Sequence, residues 1–239
     1  MCPRCRRLSR PRRPRPPTGT AGWLAGIQTA RASAEAPVAV SPSSLEGGEL
    51  MPGVELEVQA GLDKGPRNLE LPPWNKGRYG TSVGRAVHGV LQTIDLATGD
   101  GLDEAVAAQC LAEGVEHRDA VADLCRSALS MPAVQRAAAR RHWRETYVGA
   151  VQDDGTLLEG FMDLVYEEDD GSLVLVDYKA DAVPVEALKA RAAFYAPQAL
   201  AYVDALGKAT GKTVSAAELA FVHSGRTVRI TAGGSVAVP

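Results

Sequence analysis

The chain has 239 residues, 45% of them hydrophobic and 23% charged, the balance of one ordinary globular domain with a core of its own. No apolar run approaches the ~20 residues of a membrane-spanning helix, and the length leaves no room for the two motor domains of a helicase. The net charge of −3 hides a split: the first 20 residues hold seven arginines and no acid, leaving 19 basic against 29 acidic residues elsewhere. Nucleic-acid binding by that acidic body would require a local patch, not bulk attraction.

Residues 1–75 are rich in Pro, Gly, Ser and Ala without sustained apolar period, and read as a largely disordered lead-in; the ordered domain is expected over 76–239. Cys2 and Cys5 have the spacing of half a zinc or iron–sulfur site with no second pair or histidine nearby. A metal-binding adaptor with a basic arm is the reading they would support alone. Thr18–Ala30 before Ala-Ser-Ala at 32–34 echoes a signal peptide, but Gln28 and the Gly/Thr interruptions make it too polar for an apolar h-region. A cytoplasmic location is expected.

From Thr81, the apolar residues Val83, Val87, Val90, Leu91 and Ile94 recur at helical spacing, and the helix is predicted to stop near Thr98-Gly99-Asp100. Helices are predicted over Asp103–Gly114 and Glu116–Ser130, and a short one after Pro132; Cys110 and Cys125 fall inside them as buried thiols. The period then changes. Trp143–Val151, Leu157–Glu167 and Ser172–Tyr178 read as strands separated by Asp-Asp-Gly turns. A helical stretch from Val185, broken or restarted at Pro197, runs to Leu206-Gly207, and Glu218–His223 with Arg226–Thr231 closes the chain as a strand pair. This order predicts an α/β fold: a small mixed sheet of three antiparallel strands, then helix and strand, flanked by helices and preceded by a helical segment.

Chemistry concentrates on two of these strands. A three-residue turn with Gly171 in the left-handed position pairs residue 168 with 172, and counting back places Asp163 opposite Asp177. Facing β-carbons lie roughly 4.5–5.5 Å apart, where like charges destabilise. Lys179 shares the face of Asp177, and the four residues before Asp177 are apolar: Leu173, Val174, Leu175 and Val176. Two carboxylates in register at the end of such a strand are explained by a divalent cation such as Mg²⁺, which takes oxygen ligands. The Tyr178 carbonyl lies between them as a third donor, and Lys179 is placed to orient or activate a water for phosphodiester hydrolysis. An exposed Asp–Lys pair beside a solvated Asp on a hairpin is the bland alternative.

Asp163 followed by Asp177-Tyr178-Lys179 resembles the D…(D/E)xK core of the PD-(D/E)XK nucleases, and more closely the RecB-like branch found at the C-terminus of RecB-, AddA- and UvrD-like helicase-nucleases. Gly80-Thr-Ser-Val-Gly84-Arg-Ala-Val-His88 resembles that branch's N-terminal histidine motif, Gln198-Ala-Leu-Ala-Tyr202 its QxxxY motif, and Arg144-Glu145 the Arg-Glu pair opening its first core strand. The pieces stand in the family's order between about Gly77 and Ile230. Met162 replaces the proline of the family's name, and the cysteine set of the iron–sulfur relatives is missing.

The resemblance implies a restriction-endonuclease-like core and a Mg²⁺- or Mn²⁺-dependent deoxyribonuclease, an exonuclease of DNA repair and recombination. It makes His88 a metal ligand beside Asp163, Asp177 and the Tyr178 carbonyl, with Lys179 serving the water. Gln198 and Tyr202 either support the active site or DNA, or cap a helix face against the sheet. Glu145 and Glu159 are weaker candidates, Glu145 read as structural and Glu159 as supporting or solvated. The implied partners are DNA and a superfamily-1 helicase, separate or once fused, at the nucleoid; no membrane is implied. The rival function is a catalytically inactive module of the same fold that binds DNA or a helicase. Gly207–Thr213 imitates a phosphate-binding loop, but it is one residue short and follows a helix, so no ATP site is expected.

Overall fold

The computed structural model describes residues 39–47, 81–231 and 236–237. The first piece is β1 (Ala39–Val40) and a 3-10 turn (Pro42–Leu45). It lies inside the stretch expected as lead-in, yet Pro42 is buried and β1 pairs in parallel with Leu157 and Leu158. The remainder of 1–75, with Cys2 and Cys5, lies outside the described residues.

Four helices follow: α1 (Ser82–Thr93), α2 (Leu102–Glu113), α3 (Arg118–Ser130) and α4 (Pro132–Ala138). Thr81 caps α1, its hydroxyl accepting from the Gly84 amide at 3.0 Å. The helix ends earlier than its apolar spacing predicts, because Asp95 takes over the backbone. Its Oδ1 accepts from the amides of Ala97 and Thr98, each at 2.8 Å, and folds 95–100 into a turn. Gly114, at φ 67°, ends α2.

The strands β2 (His142–Val151), β3 (Leu157–Glu167) and β4 (Leu173–Lys179) form an antiparallel set. Gly171 is left-handed at φ 81°, and Glu168 donates its amide to the Ser172 carbonyl at 2.8 Å. The β3–β4 ladder keeps the register this turn dictates, from Glu167↔Leu173 to Leu164↔Val176. It stops there, one pair short of Asp163 and Asp177.

Helix α5 (Leu188–Thr210) crosses over to β5 (Val214–Phe221), which runs parallel to β4, and β6 (Arg226–Thr231) and β7 (Val236–Ala237) continue the sheet. Pro197 does not break α5, in contrast to the sequence expectation. The residue removes one amide donor, but buried neighbours on both sides, Ala193, Tyr195, Ala199 and Tyr202 among them, hold the helix on the sheet. Gly207 is likewise carried inside α5, and Gly211, left-handed at φ 67°, makes the stop. Strand β5 begins four residues earlier than expected. Its alanines are poor strand formers, but the strand is paired on both edges and covered on both faces, and context decides.

Seven strands thus form one mixed sheet among the described residues, and the fold is of the restriction-endonuclease-like α/β class. Helices α1–α4 cover one face, packing on Leu164, Tyr166, Val174, Val176 and Tyr178. Helix α5 covers the other, against Leu158, Met162, Val165, Leu173 and Leu175. Alternation therefore switches at Asp163, since Met162 and Leu164 pack on opposite faces. It switches on β2 as well: Trp143 and Val148 both belong to the α5 side. Between them stands Glu145, the one non-glycine residue with positive φ (46°) among those described.

Candidate active site

The site lies where β3 and β4 part. Tyr178 donates its amide to Asp163 Oδ2 at 2.8 Å, in place of the next ladder bond. His88 arrives from the opposite direction on α1, its Nδ1 3.1 Å from Asp163 Oδ1 and its Nε2 3.0 Å from the Tyr178 carbonyl oxygen. Two contacts fix that helix. Gly84 packs against the loop after β4, where an added β-carbon would stand at ordinary contact distance, 3.5 Å, from Ala180 Cβ. Arg144 donates to the carbonyls of Leu91 and Ile94, capping the C-terminal end of α1 from β2.

Asp177 and Lys179 are both buried at the end of β4. Lys179 Nζ lies 2.8 Å from Asp177 Oδ2, an ion pair without hydrogen-bond alignment, so this buried oxygen has no hydrogen bond. The same Nζ donates to Gln198 Oε1 at 2.9 Å and sits 4.0 Å from the centre of the Tyr195 ring. Tyr202, one turn beyond Gln198, donates to the Phe161 carbonyl at 2.8 Å, holding β3 where β4 no longer reaches it.

These positions set the charge. Burial is the largest influence on Asp177 and pushes its carboxyl up to about 6; Lys179 pulls it down and Asp163 pushes it up. Burial would raise Asp163 too, but the His88 ring, the Tyr178 amide and Lys179 together hold it below the ordinary carboxylate value. Burial would lower His88, yet the charge and hydrogen bond of Asp163 outweigh it, with help from Asp177 and against Lys179, and raise the imidazole to about 9.

Ligand-capable atoms of His88, Glu145 and Asp163 lie within 4.8 Å of one another. A buried carboxylate oxygen without a hydrogen bond, a second carboxylate, an imidazole and a backbone carbonyl fit a divalent cation. Glu145, read from sequence as structural, stands in this group. Its position across from Asp163 follows from the β2–β3 register, which a lone Arg-Glu pair does not announce. Glu159 instead accepts from the exposed Tyr147 hydroxyl at 2.8 Å. Sequence reasoning missed Tyr195 and the Asp181–Arg191 pair beside it: Arg191 Nε donates to Asp181 Oδ2 at 2.9 Å and Nη2 to the Tyr195 hydroxyl at 2.9 Å. The available signal was the four-residue spacing of Arg191 and Tyr195 on a helix leading into QxxxY.

A restriction-endonuclease-like core with an Asp, Asp and Lys set at the splayed strand ends is the class that this fold and site define. The chain belongs to the PD-(D/E)XK nuclease superfamily, whose sequence pattern matches residues 65–234, more than half of its length. A stretch of 73 residues is 40% identical to one of the subunits of the ATP-dependent helicase/nuclease of Clostridium botulinum (strain 657 / Type Ba4). That stretch is 30% of this chain and 5% of the bacterial protein. No helix among the described residues is long and apolar enough to cross a membrane.

Proposed function

We propose that the protein is a Mg²⁺- or Mn²⁺-dependent deoxyribonuclease, an exonuclease that works with or within a helicase-nuclease in DNA repair and recombination. The observation that carries the reading is Asp177: a buried carboxylate oxygen without a hydrogen bond, beside a second carboxylate and a buried lysine. A cation supplies charge neutralisation to these acids and Lewis-acid polarisation to a phosphodiester. His88, Asp163, Asp177 and the Tyr178 carbonyl are the groups that would hold it, with Glu145 adjoining. Lys179 serves the attacking water, and Gln198 and the Tyr195 ring keep its ammonium at the site. Tyr202 supports the neighbouring strand.

DNA as substrate, a superfamily-1 helicase as partner and a place in the cytoplasm at the nucleoid belong to the same proposal, supported by likeness to part of a bacterial helicase/nuclease. The nuclease domain is assigned to residues 76–239, with the 39–47 segment docked on its sheet. The test is digestion of end-labelled linear and of circular DNA by the wild type, Asp177→Ala and Lys179→Ala, with Mg²⁺ and with chelator. Cleavage of linear DNA by the wild type with Mg²⁺, falling by roughly 10²–10³-fold in either variant, is expected. Wild-type activity no higher than that of the variants would leave an inactive binding module as the function.

A further inference from the structure

Beyond the last β3–β4 pair, β2 and β3 continue together, with β1 along the other edge of β3 at Leu157 and Leu158 and α5 on one face. Among the described residues nothing packs over Tyr147 and Phe161 on the other face, on the α1 side. Tyr147 and Phe161 are directly paired across it, 53% and 60% exposed, with rings 5.6 Å apart and steeply inclined. The Tyr147 hydroxyl is held by Glu159 at 2.8 Å, which fixes its ring. Gly160 and the 39–41 segment complete a pocket of about 340 Å³ beside the pair.

We propose that Tyr147 and Phe161 form a stacking platform for an unpaired nucleobase of the strand being cut. The proposal rests on the nuclease reading and adds a positioning role to residues outside the metal cluster. Three observations support it. Tyr147 and Phe161 each lie two residues along their strand from Glu145 and Asp163, about 7 Å at strand spacing, within the reach of one nucleotide from the cleavage point. Aromatic residues left more than half exposed can offer π faces, which bind bases without sequence preference. The polar neighbour is an acid, Glu159, which suits a base edge and repels phosphate, so the pair receives the base while the backbone lies toward the cation side. A duplex keeps its bases stacked and paired, and cannot present one here without unstacking.

The experiment measures binding, not cleavage, with the full chain in Ca²⁺ and a fluorescein-labelled oligothymidylate read by anisotropy. Phe161→Ala and Tyr147→Ala should each weaken binding about tenfold, while Phe161→Trp retains it. An oligonucleotide series with one abasic position moved along the strand adds the second arm. At one position the abasic strand should bind wild type and Phe161→Ala equally, because the base that the ring holds is already gone. Losses on Phe161→Ala that stay the same at every abasic position would overturn the platform. Unchanged DNA binding in both alanine variants would also overturn it, and would point to a protein-docking face. Circular dichroism confirms folding, which these exposed side chains do not govern. Failure of the nuclease reading shows separately, as base-dependent binding without Mg²⁺-dependent cleavage.

Discussion

Two buried carboxylates of the same sheet are treated in opposite ways. Glu218 on β5 is 2% exposed and fully paired: Arg136 Nη2 donates to both of its oxygens at 2.7 and 2.8 Å, and Arg229 Nη1 adds a third bond at 2.7 Å. Arg136 also donates to the Tyr166 hydroxyl at 3.1 Å, which extends the network across four elements, α4, β3, β5 and β6. Asp177 on β4 is 7% exposed and has one lysine, an oxygen without a hydrogen bond, and Asp163 as a repelling neighbour. A buried charge survives where it is saturated. The contrast teaches that folding alone does not account for Asp177, whose environment the proposed cation would relieve at the open end of the sheet.

Three substitutions sharpen or break this contrast. Arg136→Ala strands Glu218 in the core and should lower unfolding free energy by about 3 kcal/mol, the low end for a broken buried pair because Arg229 remains. Urea denaturation measures it, and a loss below about 1 kcal/mol would deny the saturated end its structural role. Tyr202→Phe removes the bond to the Phe161 carbonyl, and with it roughly 1 kcal/mol. Thermal unfolding gives the stability change, and a shift no different from zero would mean that the strand extension does not need this tie.

Asp177→Asn is the smallest in stability and the most telling: in chelator at pH 7.5 the melting temperature should not fall. The sign follows from its carboxyl, raised from 3.8 to about 6 in the folded chain. The folded state binds this proton more tightly than the unfolded state, so the contribution favours folding at low pH and is lost as pH rises from about 3.8 to about 6. The wild type should therefore gain on Asp177→Asn as pH falls through that window. A wild type that instead loses ground there would show Asp177 to be a conventional stabilising ion pair.

Much of this arrangement was legible beforehand, for local reasons. The Asp169-Asp170-Gly171 turn sets the β3–β4 register as far as Leu164↔Val176, because a left-handed glycine admits few hairpin geometries. Asp163 and Asp177 lie one step beyond the last paired residues, where the Tyr178 amide bonds the Asp163 side chain instead. The placement of Glu145 did not follow. Its left-handed backbone switches the alternation of β2, and neither the period of apolar residues nor pair spacing reports a switch at a single glutamate. The course of α5 through Pro197 was hidden for another reason: a proline's local cost is read from one residue, whereas the burial that overrides it is spread along the whole helix. Asp95 ended α1 early by a side-chain turn within a sequence that is otherwise helical in period.

The histidine contact has a temporal consequence. His88 meets Asp163 across 75 residues of chain and the Tyr178 carbonyl across 90, so these contacts carry a larger loop-closure cost than the local β3–β4 hairpin. A chain emerging from synthesis or opened by local unfolding can form the β3–β4 hairpin, with both aspartates, well before the imidazole arrives. The proposed donors, His88, Asp163, Asp177 and the Tyr178 carbonyl, would come together only when α1 has docked and Arg144 has capped its end. On the proposed reading, cleavage would thereby be coupled to completion of the fold, and a half-folded molecule would lack the means to damage the nucleic acid around it.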